Sequence, residues 1–307
     1  MTNAGKQQVG VIGLGSMGMG MAHSLHAAGL TTYGHDTDPA RVAAFQQFKG
    51  QQLTGAAERL PDHLAHLDIV VLVVVNAAQV EAVLFGPHGI AQRLEPGTVV
   101  ICAVTVAPEM ARKFAARLDA HNVLYLDAPI SGGAAKAAEG ALTIMASGPK
   151  AAFDAAAPAL DAMAATVFHL GDVAGPGSAM KSVNQLLAGI HIAAAAEAIT
   201  YGMSQGIEPA DCVDVISKCA GSSWMFENRG PHIVDGDYAP RSAVEIFVKD
   251  LGIVADICRD SRFPAPLGTA ALQQFIAAAG MGHGQEDDAA VAKVYAALAG
   301  LSLPKKS

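Results

Sequence analysis

Positions 180–187 read MKSVNQLL, and Lys181 is the only Lys, Arg, Asp or Glu between Asp172 and Glu197. A lone amine in an apolar helix loses hydration unless its stem runs along the helix edge and its head reaches water. A second stretch, VGVIGLGSMGMGMA, carries G-x-G-x-x-G as Gly13, Gly15 and Gly18. It follows an apolar strand pattern and opens a helix pattern, the context in which this spacing binds a dinucleotide. Gly13 permits the tight turn, Gly15 lets backbone approach a diphosphate, and Gly18 lets helix and strand pack closely. The amides of the Gly13–Leu14–Gly15–Ser16–Met17–Gly18 segment then face the anion at a helix start. Asp36 lies 18 residues after Gly18, at the end of the next strand pattern. A carboxylate there accepts hydrogen bonds from ribose hydroxyls and repels a 2′-phosphate, and Arg41 stands a turn further on. These residues predict NAD rather than NADP as cofactor, against the alternative of a glycine-rich turn with no ligand.

The elements that must position these groups alternate. QVGVIGL (8–14), TTYGHD (31–36), DIVVLVVV (68–75), TVVICAV (98–104) and NVLYLDA (122–128) read as buried strands. Helical patterns such as 17–29 and 39–48 separate them, so a parallel sheet covered on both faces is expected. ALTIMASG (141–148) and TVFHL (166–170) read as two late strands that extend this sheet. Beyond GDVAGPG (171–177) no strand pattern is found. Ala-rich helical segments follow, broken at Gly206, Gly221, Gly230, Pro240, Pro264 and Gly284. Ser178 reads as the cap of a helix that runs to about Gln205 and spans roughly 40 Å. The expected architecture is α/β: a Rossmann-type doubly wound sheet over 1–170, then an all-α region over 171–307, joined by a long interdomain helix.

Bulk composition narrows the function classes. With 51% hydrophobic and 16% charged residues, the 307-residue chain is neither disordered nor fibrous. A net charge of −8 argues against a nucleic-acid binder, although a local site for an anionic small molecule remains possible. Four cysteines, at 102, 212, 219 and 258, lie outside zinc-ligand spacing and read as reduced, buried thiols of a cytoplasmic protein. The eleven histidines show no metal-ligand spacing, so no metal is expected. The longest strongly apolar run, IVVLVVV at 69–75, is too short to cross a membrane. MTNAGKQQ reads as a polar lead-in, not a signal peptide.

Four motifs, in order, carry a family resemblance: GLGSMGMGMA, DAPISGGAAKAAEGALTIMASG (127–148), GPGSAMKSVNQLL (175–187) and FVKDLGIV (247–254). Together they resemble the β-hydroxyacid dehydrogenases, the family of 3-hydroxyisobutyrate dehydrogenase, over nearly the whole chain. The resemblance implies that Ser131, Gly132 and Gly133 bind the substrate's acid group. A hydroxyl beside two glycine amides can form such a nest, although an ordinary glycine turn has the same composition. The resemblance makes Lys181 the catalytic residue. A lysine can serve as a base only if its pKa falls well below about 10.4, and burial among apolar side chains works in that direction. Asn184, three residues on and on the same helix face, would hold the substrate hydroxyl or orient Lys181. Lys249, with Asp250, matches a second lysine that reaches the cofactor, with a structural ion pair as the alternative. Val75 and Asn76 stand where the family usually has a Leu-Pro-Asn-like turn, and Thr105 matches the threonine of its S-T-x-S-P turn, here VTVAP.

Within the family, residues 221–254 are most similar to the L-threonate dehydrogenase branch. The expected reaction is NAD-dependent oxidation of a small sugar acid, L-threonate, to its 2-oxo acid. Ser222, Ser223, Glu227 and Asn228 are polar enough to meet a polyhydroxylated substrate. Alternatives are 3-hydroxyisobutyrate dehydrogenase, a tartronate semialdehyde or glyoxylate reductase, and a non-catalytic NAD-binding module. Trp224 is expected either in the core or closing the substrate pocket. The resemblance also implies a homodimer or homotetramer, and the charge and apolar-run length predict no nucleic-acid or membrane partner.

Overall fold

The β-branched runs of the first half pair as they must once both their faces are apolar. The computed structural model describes residues 7–47, 51–52, 64 and 66–306. Six parallel strands, β1 (Gln8–Ile12), β2 (Thr31–His35), β3 (Gln51–Gln52), β4 (Ile69–Leu72), β5 (Val99–Cys102) and β6 (Leu124–Asp127), lie in the order 3-2-1-4-5-6. Successive residues point to opposite faces. Val9, Val11, Ile69, Val71, Val99 and Ile101 therefore enter one core, while Ile12, Val70, Leu72, Val100 and Cys102 enter the other. Helices α1 (Ser16–Ala27) and α6 (Lys150–Met163) contribute to the first core, and α3 (Ala77–Phe85) and α4 (Pro108–Asp119) to the second. The strand order reverses between β1 and β4, which opens a ligand crevice at the carboxyl ends of the strands.

Each strand is shorter than its apolar run, because the last residues belong to loops at that crevice. Helix α2 (Pro39–Gln46) starts with Asp38 accepting from the Ala40 amide. Its expected end at Phe48 lies outside the described residues.

The late strands depart from expectation. β7 (Ile130–Ser131), β8 (Leu142–Ala146) and β9 (Ala164–His169) form a separate three-stranded sheet and do not extend the parallel one. The reason is a bend after β6. The pairs Asp127–Ser147, Ile130–Ile144 and Ser131–Thr143 share one antiparallel register, so the β6 strand leaves the parallel sheet and continues into the small one. Pro129, at the bend, has no N–H to donate. Helix α5 (Gly133–Ala138) follows directly.

The chain divides into two compact units, 1–181 and 182–307. Helix α7 (Pro176–Ser204, 29 residues) runs through the division. The second unit contains α8 (Pro209–Ile216), α9 (Trp224–Val234), α10 (Val244–Ser261), α11 (Pro266–Ala278) and α12 (Ala292–Ala299). Their core gathers Ile192, Ala196, Ile199, Phe226, Leu251 and Val291 around a stacked Phe247–Phe275 pair, ring centroids 5.2 Å apart. Gly230 does not break a helix as expected. It lies inside α9, where a Cβ would stand 2.8 Å from Val213 Cγ2, so it serves close packing of α9 on α8. The cysteines are free, but Cys219 is exposed and Cys258 half-buried, contrary to the expected uniform burial. Among the described residues α7 alone is long and apolar enough to cross a bilayer, and half of its apolar window is buried inside the protein, as in a core helix.

Candidate active site

The glycine loop is tight where turns demand it and open where a ligand would lie. Gly13 has φ +98°, and a Cβ on it would meet the Val73 carbonyl oxygen at 2.5 Å. A Cβ on Gly18 would sit 1.8 Å from the Gly13 oxygen. At Gly15, by contrast, the nearest atom is Arg41 Nη1, at 3.7 Å. Gly15 caps α1 without a side-chain bond, so the amides of Ser16, Met17 and Gly18 have no partner inside the helix. This is a cradle that a diphosphate fits and a side chain would fill.

Asp36 sits beside the loop. Its Oδ2 accepts the Leu14 amide at 2.7 Å, its Oδ1 the Asp38 amide at 2.9 Å. A carboxylate has about four acceptor sites, so capacity remains for ribose hydroxyls. Arg41 also reaches Asp36, at 3.4 Å, a contact that its position one turn into α2 had concealed. Val75 and Asn76 follow β4, and Thr105 follows β5, at the same ends of the sheet. Val75 is exposed and its amide donates to Gln79 Oε1 at 2.7 Å, whereas the Asn76 side chain caps α3 through the Gln79 amide. Thr105 is half-buried.

The acid-binding candidates surround the bend after β6. Gly132 (φ +138°) caps α5 and Gly133 (φ +78°) begins it, both in the left-handed region that favours glycine. Their N–H groups have no intrahelical acceptor. Ser131, next to them, is half-buried at the end of β7. Lys181 is buried at 8% exposure, and its Nζ donates to the Ile130 carbonyl oxygen at 2.9 Å. The lysine and the S-G-G turn are therefore one residue apart through a single hydrogen bond.

The second unit holds the other two candidates. Asn184 Nδ2 donates to Gln185 Oε1 at 2.9 Å, and Gln185 in turn donates to Asp250 Oδ2. Asp250 pairs with Lys249, Nζ to Oδ1 2.6 Å. Gly189 makes this possible. A Cβ there would lie 2.7 Å from Leu251, so α10 approaches α7 closely one turn beyond Gln185.

Two family models cover these features: the NAD binding domain of 6-phosphogluconate dehydrogenase over residues 8–171, and the NAD-binding domain of NADP-dependent 3-hydroxyisobutyrate dehydrogenase over 175–295. The chain is 49% identical to an L-threonate dehydrogenase of Cupriavidus necator, over 98% of this chain and 99% of that one. It is 46% identical to an L-threonate dehydrogenase of Escherichia coli, over 99% of each. The chain belongs to the β-hydroxyacid dehydrogenase family. A crystal structure described as 3-hydroxyisobutyrate dehydrogenase from Salmonella typhimurium is 49% identical and superposes with a TM-score of 0.88, over 94% of this chain and all of that one. The protein is thus an NAD-dependent hydroxy acid dehydrogenase, with a Rossmann-type sheet and a helical second region.

Within this dehydrogenase some sequence expectations change. Trp224 is 58% exposed, so it is not a core residue. Ser222 donates to Glu227 at 2.8 Å, Ser223 caps α9, and Asn228 accepts from Arg229, so these polar groups already engage one another. Ser178 is not the helix cap. It lies in the first turn of α7, and its hydroxyl donates to Asp127 Oδ1 at 2.5 Å. Sequence reading missed Asp127 and Gln185, whose partners lie 51 and 65 residues away. The only signals were Asp127 opening the DAPISGG motif and Gln185 following Asn184.

Proposed function

We propose that the protein oxidises L-threonate at C2 to the 2-oxo acid, with Lys181 as general base. The observation that carries the mechanism is the buried Lys181 amine nitrogen, held on the Ile130 carbonyl beside the Ser131–Gly133 turn. When bound, NAD would supply the acceptor for the hydride that leaves C2. Gly13, Leu14, Gly15, Ser16, Met17 and Gly18 would hold its diphosphate, Asp36 its adenosine ribose, and Val75, Asn76 and Thr105 would line the crevice beyond. The Ser131 hydroxyl and the Gly132 and Gly133 amides hold the substrate carboxylate, which fixes the C2 hydroxyl for reaction. In its neutral form Lys181 takes the proton from that hydroxyl, and in the reverse reaction its ammonium returns it. Asn184, on the same helix face, orients the hydroxyl. Lys249, paired with Asp250, would serve the cofactor, as the family resemblance implies.

The substrate assignment rests on the L-threonate dehydrogenases at 46–49% identity. The Salmonella structure, 49% identical and described as a 3-hydroxyisobutyrate dehydrogenase, supports the second reading. Residues 1–170 would form the NAD-binding domain and 171–307 the substrate and oligomerisation domain of a cytoplasmic homodimer or homotetramer. Exposed apolar side chains on α7, among them Leu187 and Tyr201, support subunit contacts. Free cysteines fit a reducing compartment.

The test is NADH formation by the purified protein with L-threonate, 3-hydroxyisobutyrate and glycerate, each with NAD and NADP. L-threonate with NAD is expected to lead by at least about tenfold in kcat/KM. A lead for 3-hydroxyisobutyrate would establish the second reading, and no turnover of any member despite NAD binding would refute catalysis.

A further inference from the structure

The helix that carries Lys181 starts on a buried carboxylate. Asp127, at the end of β6, is fully buried. Its Oδ2 accepts the backbone N–H of Gly175 at 2.9 Å and of Ser178 at 2.8 Å, and the Ser147 hydroxyl at 3.3 Å. Its Oδ1 accepts the Ser178 hydroxyl at 2.5 Å. Ser147 in turn accepts the Gly177 N–H at 2.9 Å. The first N–H groups of a helix need acceptors, and here strand residues supply them in place of a cap on the helix itself. The seat is close: a Cβ on Gly177 would lie 2.5 Å from the carbonyl oxygens of both Asp127 and Met145. Burying a carboxylate costs more than a serine or asparagine cap would. A simple helix start does not require it.

Three residues further along each segment comes the second grip, Lys181 Nζ on the Ile130 carbonyl at 2.9 Å. Asp127 and Ile130 thus hold Ser178 and Lys181 with equal spacing in both chain segments. We propose that Asp127, through Ser178, is a positioning residue for Lys181. The clasp sets the rotation and axial register of the first turn of α7 over the bend after β6. It thereby places the Lys181 amine against Ile130 and the adjoining Ser131–Gly133 turn. This inference rests on the reading of Lys181 as the base.

The full-length protein is tested as Ser178→Ala, Asp127→Asn and Lys181→Ala. The measurements are kcat, KM for NAD, melting temperature, and the primary isotope effect with C2-deuterated L-threonate. Ser178→Ala is expected to lower kcat about tenfold and Asp127→Asn about 100-fold, with KM for NAD within about twofold of the wild type. The isotope effect on kcat should rise in both, because a displaced base slows the chemical step, whereas mere loss of stability leaves it unmoved. A wild-type kcat per NAD-binding site and an unchanged isotope effect, even with a lower melting temperature, would overturn the proposal. If Asp127→Asn fails to fold, Ser178→Ala decides alone, since it keeps the carboxylate and its backbone bonds. An active Lys181→Ala would instead refute the base assignment. An inactive Lys181→Ala beside unimpaired clasp variants refutes only the positioning.

Discussion

The two units bury carboxylates in opposite ways. In the first, Asp127 is held by amide and hydroxyl groups of Gly175, Ser178 and Ser147. Burial pushes its carboxyl above the usual range, and those hydrogen bonds only oppose the shift. In the second, two buried carboxylates face cations, Asp250 on Lys249 and Asp288 on Arg229 at 2.6 and 3.0 Å, and Asp287 bonds to His232 at 2.8 Å. Burial also acts on Asp287, but the His232 bond and the Arg241 amide prevail and hold it below the usual range. A carboxylate on neutral donors is a geometric fixture that sets where a helix begins. In the second unit the Arg229–Asp288 pair ties α9 to the stretch before α12.

The sharpest break in this comparison comes from removing one partner. Arg229→Ala leaves Asp288, with a fully buried side chain, without its cation, and should cost about 3–5 kcal/mol. Asp127→Asn keeps size and one acceptor and should cost about 1–3 kcal/mol. Urea unfolding followed by circular dichroism ranks the two. A larger loss for Asp127→Asn would reverse the distinction.

A smaller effect separates Asp127 from Asp287 by pH, whereas burial pushes Asp288 up as it does Asp127. Asp127 has a folded pKa above the usual value of 3.8, so the folded state binds more protons in that window. Its contribution is full below the unfolded pKa and is lost as pH rises through the folded one. Asp287 has a folded pKa below 3.8, so its contribution is present above the unfolded value and is lost as pH falls. Between about pH 3 and 6, the stability difference between wild type and Asp127→Asn should fall with pH, while that for Asp287→Asn should rise. Parallel slopes would mean that both carboxylates are held alike.

What could be read from the sequence was what short-range geometry encodes. The Gly13–Gly18 loop and the Gly132–Gly133 turn are legible because left-handed or crowded backbone excludes other residues. The apolar runs announced a parallel sheet, because strands covered on both faces need no alternation. The bend that carries β6 into the small sheet was not legible, since β8 looks locally like any other strand. Ser178 looked like a cap because serine at a helix start usually is one, but its true partner is 51 residues away. Gly230 looked like a break because the Val213 side chain that requires it belongs to another helix.

The central claim is that Lys181 moves the proton. NADH formation from L-threonate by wild type and Lys181→Ala, with NAD affinity measured separately, tests it most directly. A fall in kcat of about 10²–10⁴-fold at unchanged NAD affinity is the predicted result. A Lys181→Ala enzyme that keeps wild-type kcat across the pH range would contradict it.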